Sequence, residues 1–139
     1  MDRQALEGGE FDWFAVDADG HVGHFSTAGF GPIPKAVLNE YDRVKGLDER
    51  LMALPVNGEA EGHLPGTIED WLEMARRGLY SYDWQHWKGP YRRAATPSFP
   101  LIVDHIPTEL RDAVEVVHLA GVRFPVSFDV RPEEFCECE

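Results

Sequence analysis

Two short strand-like stretches joined by a strong turn constrain the fold more than any other feature of this chain. Residues 11–16 and 22–27 flank Asp17-Ala18-Asp19-Gly20, which favours a type I turn followed by a left-handed glycine over a two-residue type I′ turn. The pattern predicts an antiparallel hairpin in which Trp13 lies opposite Phe25 on the core face. The other face also carries apolar residues, so we expect both faces to be covered; they are Phe14, Val16 and Val22.

Three stretches have the apolar spacing of helices. The first begins at Pro34 and either ends at Gly46 or continues to Leu54. The second is predicted to be capped by Thr67 and to end at Gly78, with an inward stripe of Ile68, Trp71, Leu72 and Ala75. The third begins at Pro107-Thr108, although residues 114–119 also have strand character.

Further strands are predicted at residues 79–84, 91–95 and 101–106. The clearest alternation runs from Val122 to Val130, where Pro125 indicates an edge strand or a bulge. Together these elements predict a single α+β domain over residues 1–139: an antiparallel sheet of about five or six strands with two or three helices packed on one face. We expect the N-terminus and the C-terminal tail to be frayed.

The composition excludes some classes of partner. The chain has 25 acidic and 13 basic residues, a formal net charge of −12, which argues against nonspecific nucleic-acid binding because phosphate attraction requires a basic face. The same charge suits a basic protein partner. The sequence lacks an apolar run of the roughly 20 residues that a membrane helix needs, and residues 1–5 lack the apolar start of a signal peptide. We therefore expect a cytoplasmic protein.

One segment has the opposite charge balance. Between Arg76 and Arg93 the only acidic residue is Asp83, and the segment is rich in Tyr and Trp. The alternation of Tyr80, Tyr82 and Trp84 indicates packing on a strand face. The side chains that are harder to bury together are the candidate partner-binding residues: Trp87, Tyr91, Arg92 and Arg93. The alternative is that the two arginines only form surface ion pairs.

The sequence motifs give little support for a catalytic, cofactor-binding or metal-binding site. Asp17-x-Asp19-Gly20 lacks the later ligands of a calcium loop. Cys136 and Cys138 form half of a zinc site at most, and we interpret them as a reduced pair. We predict no cofactor, no metal site and no assigned catalytic residue. An enzymatic alternative would use Asp83, His86 and His105, which are of the types that act as acids and bases.

Three stretches resemble a group of known proteins. They are Phe11-Asp12-Trp13-Phe14-Ala15-Val16-Asp17-Ala18-Asp19-Gly20, Phe25-Ser26-Thr27-Ala28-Gly29-Phe30-Gly31-Pro32-Ile33-Pro34 and Gly78-Leu79-Tyr80-Ser81-Tyr82-Asp83-Trp84. The chain resembles small acidic bacterial proteins of unassigned function, some of which are immunity proteins encoded beside polymorphic toxins. The resemblance implies a basic toxin as partner, and it carries over no functional residue.

Three hypotheses of function follow. The first is a cytoplasmic protein-binding module, an immunity protein that neutralises a basic toxin. The second is a small enzyme of unknown reaction with a site near Asp83, His86 and His105. The third is a structural or assembly domain in which the edge strand at residues 122–130 pairs between subunits as an edge-strand dimer, the oligomeric state itself being left open.

Overall fold

A mixed seven-stranded sheet organises the part of the chain that the computed structural model describes, residues 1–135. The predicted cysteine pair and C-terminal tail lie outside these residues. The strands are β1 (Asp12–Asp17), β2 (Val22–Ser26), β3 (Ala60–Gly62), β4 (Tyr80–Trp84), β5 (Tyr91–Pro97), β6 (His118–Leu119) and β7 (Asp129–Val130). The helices are α1 (Arg3–Leu6), α2 (Lys35–Asn39), α3 (Tyr41–Val44), α4 (Leu47–Met52), α5 (Glu69–Arg76) and α6 (Thr108–Val114). The α+β class is therefore confirmed.

The strands lie in the order β3-β5-β4-β2-β1-β6, and β7 pairs with β5 beside this path. Most pairs are antiparallel, while β2 pairs with β4 and β1 with β6 in parallel. The parallel β2–β4 pair joins the N-terminal hairpin to the later β4–β5 pair. The longest helix in the described residues, α5, has eight residues, and none is long and apolar enough to cross a membrane.

The predicted N-terminal hairpin is confirmed, including its register. Trp13 pairs with Phe25, and Gly20 has a φ of +87°, as the turn requires. The Asp17 carboxylate accepts hydrogen bonds from the backbone N–H groups of Asp19 and His21 at 2.9 and 2.8 Å. Local turn chemistry therefore holds this part of the fold.

Apolar side chains cover both faces of the sheet. One face packs against the C-terminal segment and the residues of α2 and α3; its buried aromatic side chains include Trp13, Phe25, Tyr82, Tyr91 and Phe124. The other face packs against α4, α5 and α6; its buried residues include Phe14, Val22, Leu47, Met74 and Leu110. The hairpin is therefore covered on both sides, as its sequence predicts.

The prediction of a strand at Val122–Val130 is wrong. Phe124–Val126 forms a 3-10 turn, and only Asp129–Val130 pairs with β5. Alternating apolar residues do not require a strand here, because Val122 and Phe124 are buried by packing while the side chains of Val126 and Phe128 are exposed. The predicted edge-strand dimer required a long edge strand at residues 122–130, and only the two residues Asp129–Val130 form a strand there.

Smaller predictions also need correction. Residues 101–106 are not a strand: Val103–His105 is a 3-10 turn, and Ile102 makes a single bridge to His21. Thr67 does not cap α5, whose N-cap position is Ile68. Gly46, with a φ of +74°, separates α3 from α4, so the first helical stretch is broken.

The N-terminal residues make contacts with distant parts of the chain. The amino group of Met1 donates to the Leu38 carbonyl at 3.1 Å. The Arg3 guanidinium donates to the carbonyls of Gly29 and Gly31 at 3.2 and 2.9 Å. The bonds of Arg3 place α1 against the loop that follows β2, and the bond of Met1 links the N-terminus to α2.

Candidate binding surface at one end of the sheet

Most of the cations in the basic segment are engaged within the molecule. Arg76 and Arg77 each contact Glu73 at 3.1 Å, and the Arg92 guanidinium lies 3.2 Å from the Asp129 carboxylate. These groups are neutralised locally, so the segment is not a basic surface. The alternative interpretation, that Arg92 and Arg93 only form surface ion pairs, therefore applies to Arg92, whereas Arg93 makes no ion pair in the described residues.

Tyr91 and Arg93 belong to the core. Tyr91 is fully buried; its hydroxyl accepts a hydrogen bond from the Trp13 indole at 3.1 Å and donates to the Pro32 carbonyl at 2.8 Å. Burial raises the pKa of the Tyr91 phenol. Arg93 is also buried and donates to main-chain carbonyls of the C-terminal segment, including that of Ser127. Of the four candidate partner-binding residues, these two do not reach the surface.

Trp87 is the most exposed aromatic side chain in the described residues, with 72% of its surface accessible. The Phe30 ring, itself 43% exposed, lies with its centroid 5.3 Å from that of Trp87 at an interplanar angle of 63°. The His86 ring lies 4.4 Å from Trp87. We call Phe30, His86 and Trp87 the aromatic cluster.

Two short loops hold the aromatic cluster in place. The loop after β2 is closed by hydrogen bonds from the N–H groups of Phe30 and Gly31 to the Thr27 carbonyl, at 3.1 and 2.8 Å. The loop after β4 comprises residues 85–90. Its first and last residues are joined by a hydrogen bond from the Gln85 N–H to the Pro90 carbonyl at 3.0 Å. A Cβ atom at Gly31 would lie 2.6 Å from the Tyr91 hydroxyl and 2.9 Å from Trp84, so glycine lets the loop after β2 pack against β4 and β5. The cluster is thus presented on ordered backbone.

A row of polar side chains crosses the sheet beside these loops. Asp12 pairs with Ser26, Ser26 with Asp83, and Asp83 with Arg92, so the four residues lie on one face at one level. Burial raises the pKa of Asp83 to about 6, an effect that the neighbouring His86 side chain partly offsets. Asp83 is the member of this row that is nearest in sequence to the aromatic cluster, three residues before His86.

A buried hydrogen-bonded chain lies next to this row. His24 Nδ1 is 2.6 Å from the Ser81 hydroxyl, and His24 Nε2 is 2.8 Å from the Asp12 carboxylate. His24 is 3% exposed and Ser81 is fully buried. Ser, His and Asp are the residues of acyl-transfer triads, yet a fully buried hydroxyl is closed to a substrate. The arrangement therefore satisfies buried polar groups in this conformation.

An acidic groove opens beside Asp12. A cavity of about 240 Å³ is lined by two methionines, His24 and five carboxylates; its residues are Glu10, Asp12, His24, Asp48, Glu49, Met52, Asp70 and Met74. A second depression shares Glu10, Asp12, Asp48 and Glu49 and adds Lys45. Within residues 1–135, Glu10, Asp48, Glu49 and Asp70 make no ion pair. We call this surface the acidic groove.

The residues of the enzymatic hypothesis do not come together. Asp83 pairs with Ser26 at one end of β2, whereas Ile102, just before the turn that carries His105, bridges to His21 beyond the other end. Five residues of strand span about 17 Å. Asp83 and His86 are neighbours, but His105 lies far from both. In the described part of the chain, no group of three or more His, Cys, Asp or Glu is placed to hold a metal ion.

Sequence reasoning singled out Trp87 as a partner-binding candidate and Asp83 for the enzymatic alternative, but it did not single out Phe30, His24, Ser81 or the acidic groove. Phe30 and Trp87 are far apart in sequence and meet only because β2 and β4 are paired, so their loops leave the same end of the sheet. A comparison with protein-family models, curated proteins and solved structures finds no match to this chain. The candidate site therefore stands on its own geometry.

Proposed function

We propose that this chain is a protein-binding module that captures a basic protein, as an immunity protein captures a basic toxin. The observation that carries the proposal is the exposed aromatic cluster at the same end of the sheet as the acidic groove. The proposal places the protein in the cytoplasm, where it would meet such a toxin.

The two parts of this surface suit different stages of binding. The net charge of −12, with five carboxylates concentrated in the groove, supports long-range attraction of a basic partner. Tryptophan is among the residues that dominate binding energy at protein interfaces, and Trp87 is exposed on ordered loops. The aromatic cluster would then supply most of the affinity, and the groove would supply the rate of encounter.

The test is co-expression with the protein encoded by the adjacent reading frame. We expect that protein to be toxic when expressed alone, to be neutralised by this chain and to co-purify with it. Trp87→Ala should abolish both rescue and co-purification, while Phe99→Ala, which alters a 64% exposed aromatic side chain elsewhere, should preserve them. A harmless neighbour that does not co-purify would refute the immunity function.

The acidic groove has a separate test. Asp48→Lys with Glu49→Lys should slow association with the partner without abolishing it, and raising the salt concentration should slow the wild type in the same way. Exposed charges lose their influence as the Debye length falls from about 10 Å at 0.1 M salt to about 3 Å at 1 M. An association rate that does not change with salt would reject electrostatic steering.

The hydrogen-bonded chain of Asp12, His24 and Ser81 favours a second candidate, a small hydrolytic enzyme. This function requires a motion that exposes Ser81, because the hydroxyl is buried. Covalent labelling of wild type but not of Ser81→Ala by a serine-directed fluorophosphonate would support it. Equal absence of labelling in both proteins would reject it.

A further inference from the structure

The ring of Trp87 offers an open aromatic surface to a cation. Its neighbours Phe30 and His86 contact it at angles of 63° and 44°, so neither stacks face to face on it. With 72% of the side chain accessible, the indole is left largely to solvent. Tryptophan has the aromatic ring that attracts cations most strongly. The cluster therefore has the geometry of a platform for a positively charged group.

Asp83 lies near the end of β4, just before the loop that carries this platform, and its carboxylate lacks a partner in the described residues. Asp12 contacts His24 and Asp129 contacts Arg92, but within residues 1–135 the Asp83 side chain makes neither an ion pair nor a hydrogen bond. Arg92 is its cross-strand neighbour, yet the guanidinium lies against Asp129. A half-buried carboxylate that lacks a hydrogen-bond donor is stabilised when a binding partner supplies that donor.

We infer that this end of the sheet recognises an arginine side chain of the basic partner, which stacks on Trp87 and donates to Asp83. The inference rests on the proposed function and names the chemistry of its ligand. Arginine fits better than lysine because its planar guanidinium stacks on a ring and still presents N–H groups to a carboxylate, whereas the ammonium group of lysine is compact and strongly hydrated. The acidic groove opens beside Asp12, which is separated from Asp83 by one strand, β2, and its charge is complementary to that cation.

Lys88 is a cation beside this platform that opposes the arrangement. It follows Trp87 in the loop, is exposed, and makes no ion pair in the described residues. A like charge beside the platform weakens attraction of an incoming cation. Lys88→Ala should therefore strengthen binding of a cationic ligand if that ligand occupies this place.

The experiment uses the purified full chain and two probes of equal length and charge, a hexa-arginine and a hexa-lysine peptide, at low salt. We expect calorimetric titration to show about fivefold tighter binding of hexa-arginine by the wild type. Trp87→Leu and Asp83→Asn should each bring the ratio of the two affinities close to one. Phe99→Leu should leave it unchanged, and Lys88→Ala should tighten binding of hexa-arginine.

The outcomes separate this inference from the proposed function. Equal affinities of the wild type for both peptides, or a preference for arginine that survives Trp87→Leu, would overturn the inference and leave the capture of a basic protein intact. Absence of binding to either peptide, together with failure of neutralisation by the wild type, would overturn both. If Asp83→Asn does not fold, Trp87→Leu still tests the inference, because the Trp87 side chain is exposed and its replacement should leave the fold intact.

Discussion

The guanidinium carbon of Arg93 lies 4.0 Å from the centre of the Phe128 ring. Its Nη2 donates to the carbonyls of Phe124 and Ser127, and its Nη1 donates to the Thr96 hydroxyl at 3.2 Å. Arg93 is 2% exposed and makes no ion pair with any carboxylate of the described residues. A buried arginine thus fastens the C-terminal segment to the sheet through carbonyls and aromatic faces.

We expect Arg93→Ala to lower the free energy of unfolding by about 3 kcal/mol, because it removes several hydrogen bonds of a charged donor and leaves carbonyls unpaired. Arg92→Ala is the matched control: Arg92 is exposed and pairs only with Asp129, so its loss should cost about 0–1 kcal/mol. Chemical denaturation measures both. If Arg93→Met were as stable as the wild type, the Arg93 side chain would stabilise the fold only by filling space, and its hydrogen bonds would contribute nothing.

Asp17 connects the hairpin turn to the C-terminal segment. Besides its two bonds in the turn, its carboxylate accepts from the backbone N–H of Phe124 at 2.8 Å. Asp17→Ala should therefore destabilise the protein by about 2–4 kcal/mol, since it leaves buried N–H groups without acceptors. Asp19→Ala, at an exposed position in the same turn, should have little effect on the melting temperature. Equal melting temperatures for the two variants would contradict this role.

Asp83 should make stability depend on pH in a specific direction. Burial raises its pKa from an ordinary 3.8 to about 6 in the folded state. The folded protein therefore holds this proton more tightly than the unfolded chain. The resulting destabilisation is absent below about pH 4, grows as the pH rises and is complete above about pH 6. At neutral pH its ionised form opposes folding.

Asp83→Asn should accordingly raise stability at pH 7. The rise in the pKa of Asp83 corresponds to about 3 kcal/mol, which solvent screening of this half-exposed group reduces to about 1 kcal/mol. The gain should disappear at pH 4, and thermal melting of both proteins across this range measures it. Asp19→Asn serves as the exposed control. A constant difference between Asp83→Asn and wild type at every pH would show that ionisation of Asp83 is not the cause.

Trp87→Ala should leave the fold nearly intact, with a change of less than about 1 kcal/mol, because the side chain is 72% exposed. Trp13→Ala should cost about 3–5 kcal/mol, since Trp13 is fully buried and stacks on Phe25 at 4.2 Å. Thermal melting compares the two directly. A large loss for Trp87→Ala would assign that residue to the core and remove the aromatic cluster from the binding surface.

The hairpin shows what sequence reasoning recovers well. Its turn depends on the φ angles that Asp17 and Gly20 favour, and its register follows from alternation over a few residues. The strand that begins near Tyr80 and the helix that follows Pro107 were predictable for the same reason, namely that their signals lie within one element. Trp87 was placed correctly in loop chemistry because polar residues, glycine and proline surround it.

What the sequence by itself determined is therefore local: the hairpin, several of the helices and strands, the acidic charge and an aromatic loop. Only the tertiary structure decided that β2 pairs in parallel with β4, which brings His24 to Ser81 and Phe30 to Trp87. It also decided that Arg93 is buried. The physical reason is that pairing of distant strands and burial depend on contacts across the whole chain, which no short window of sequence contains.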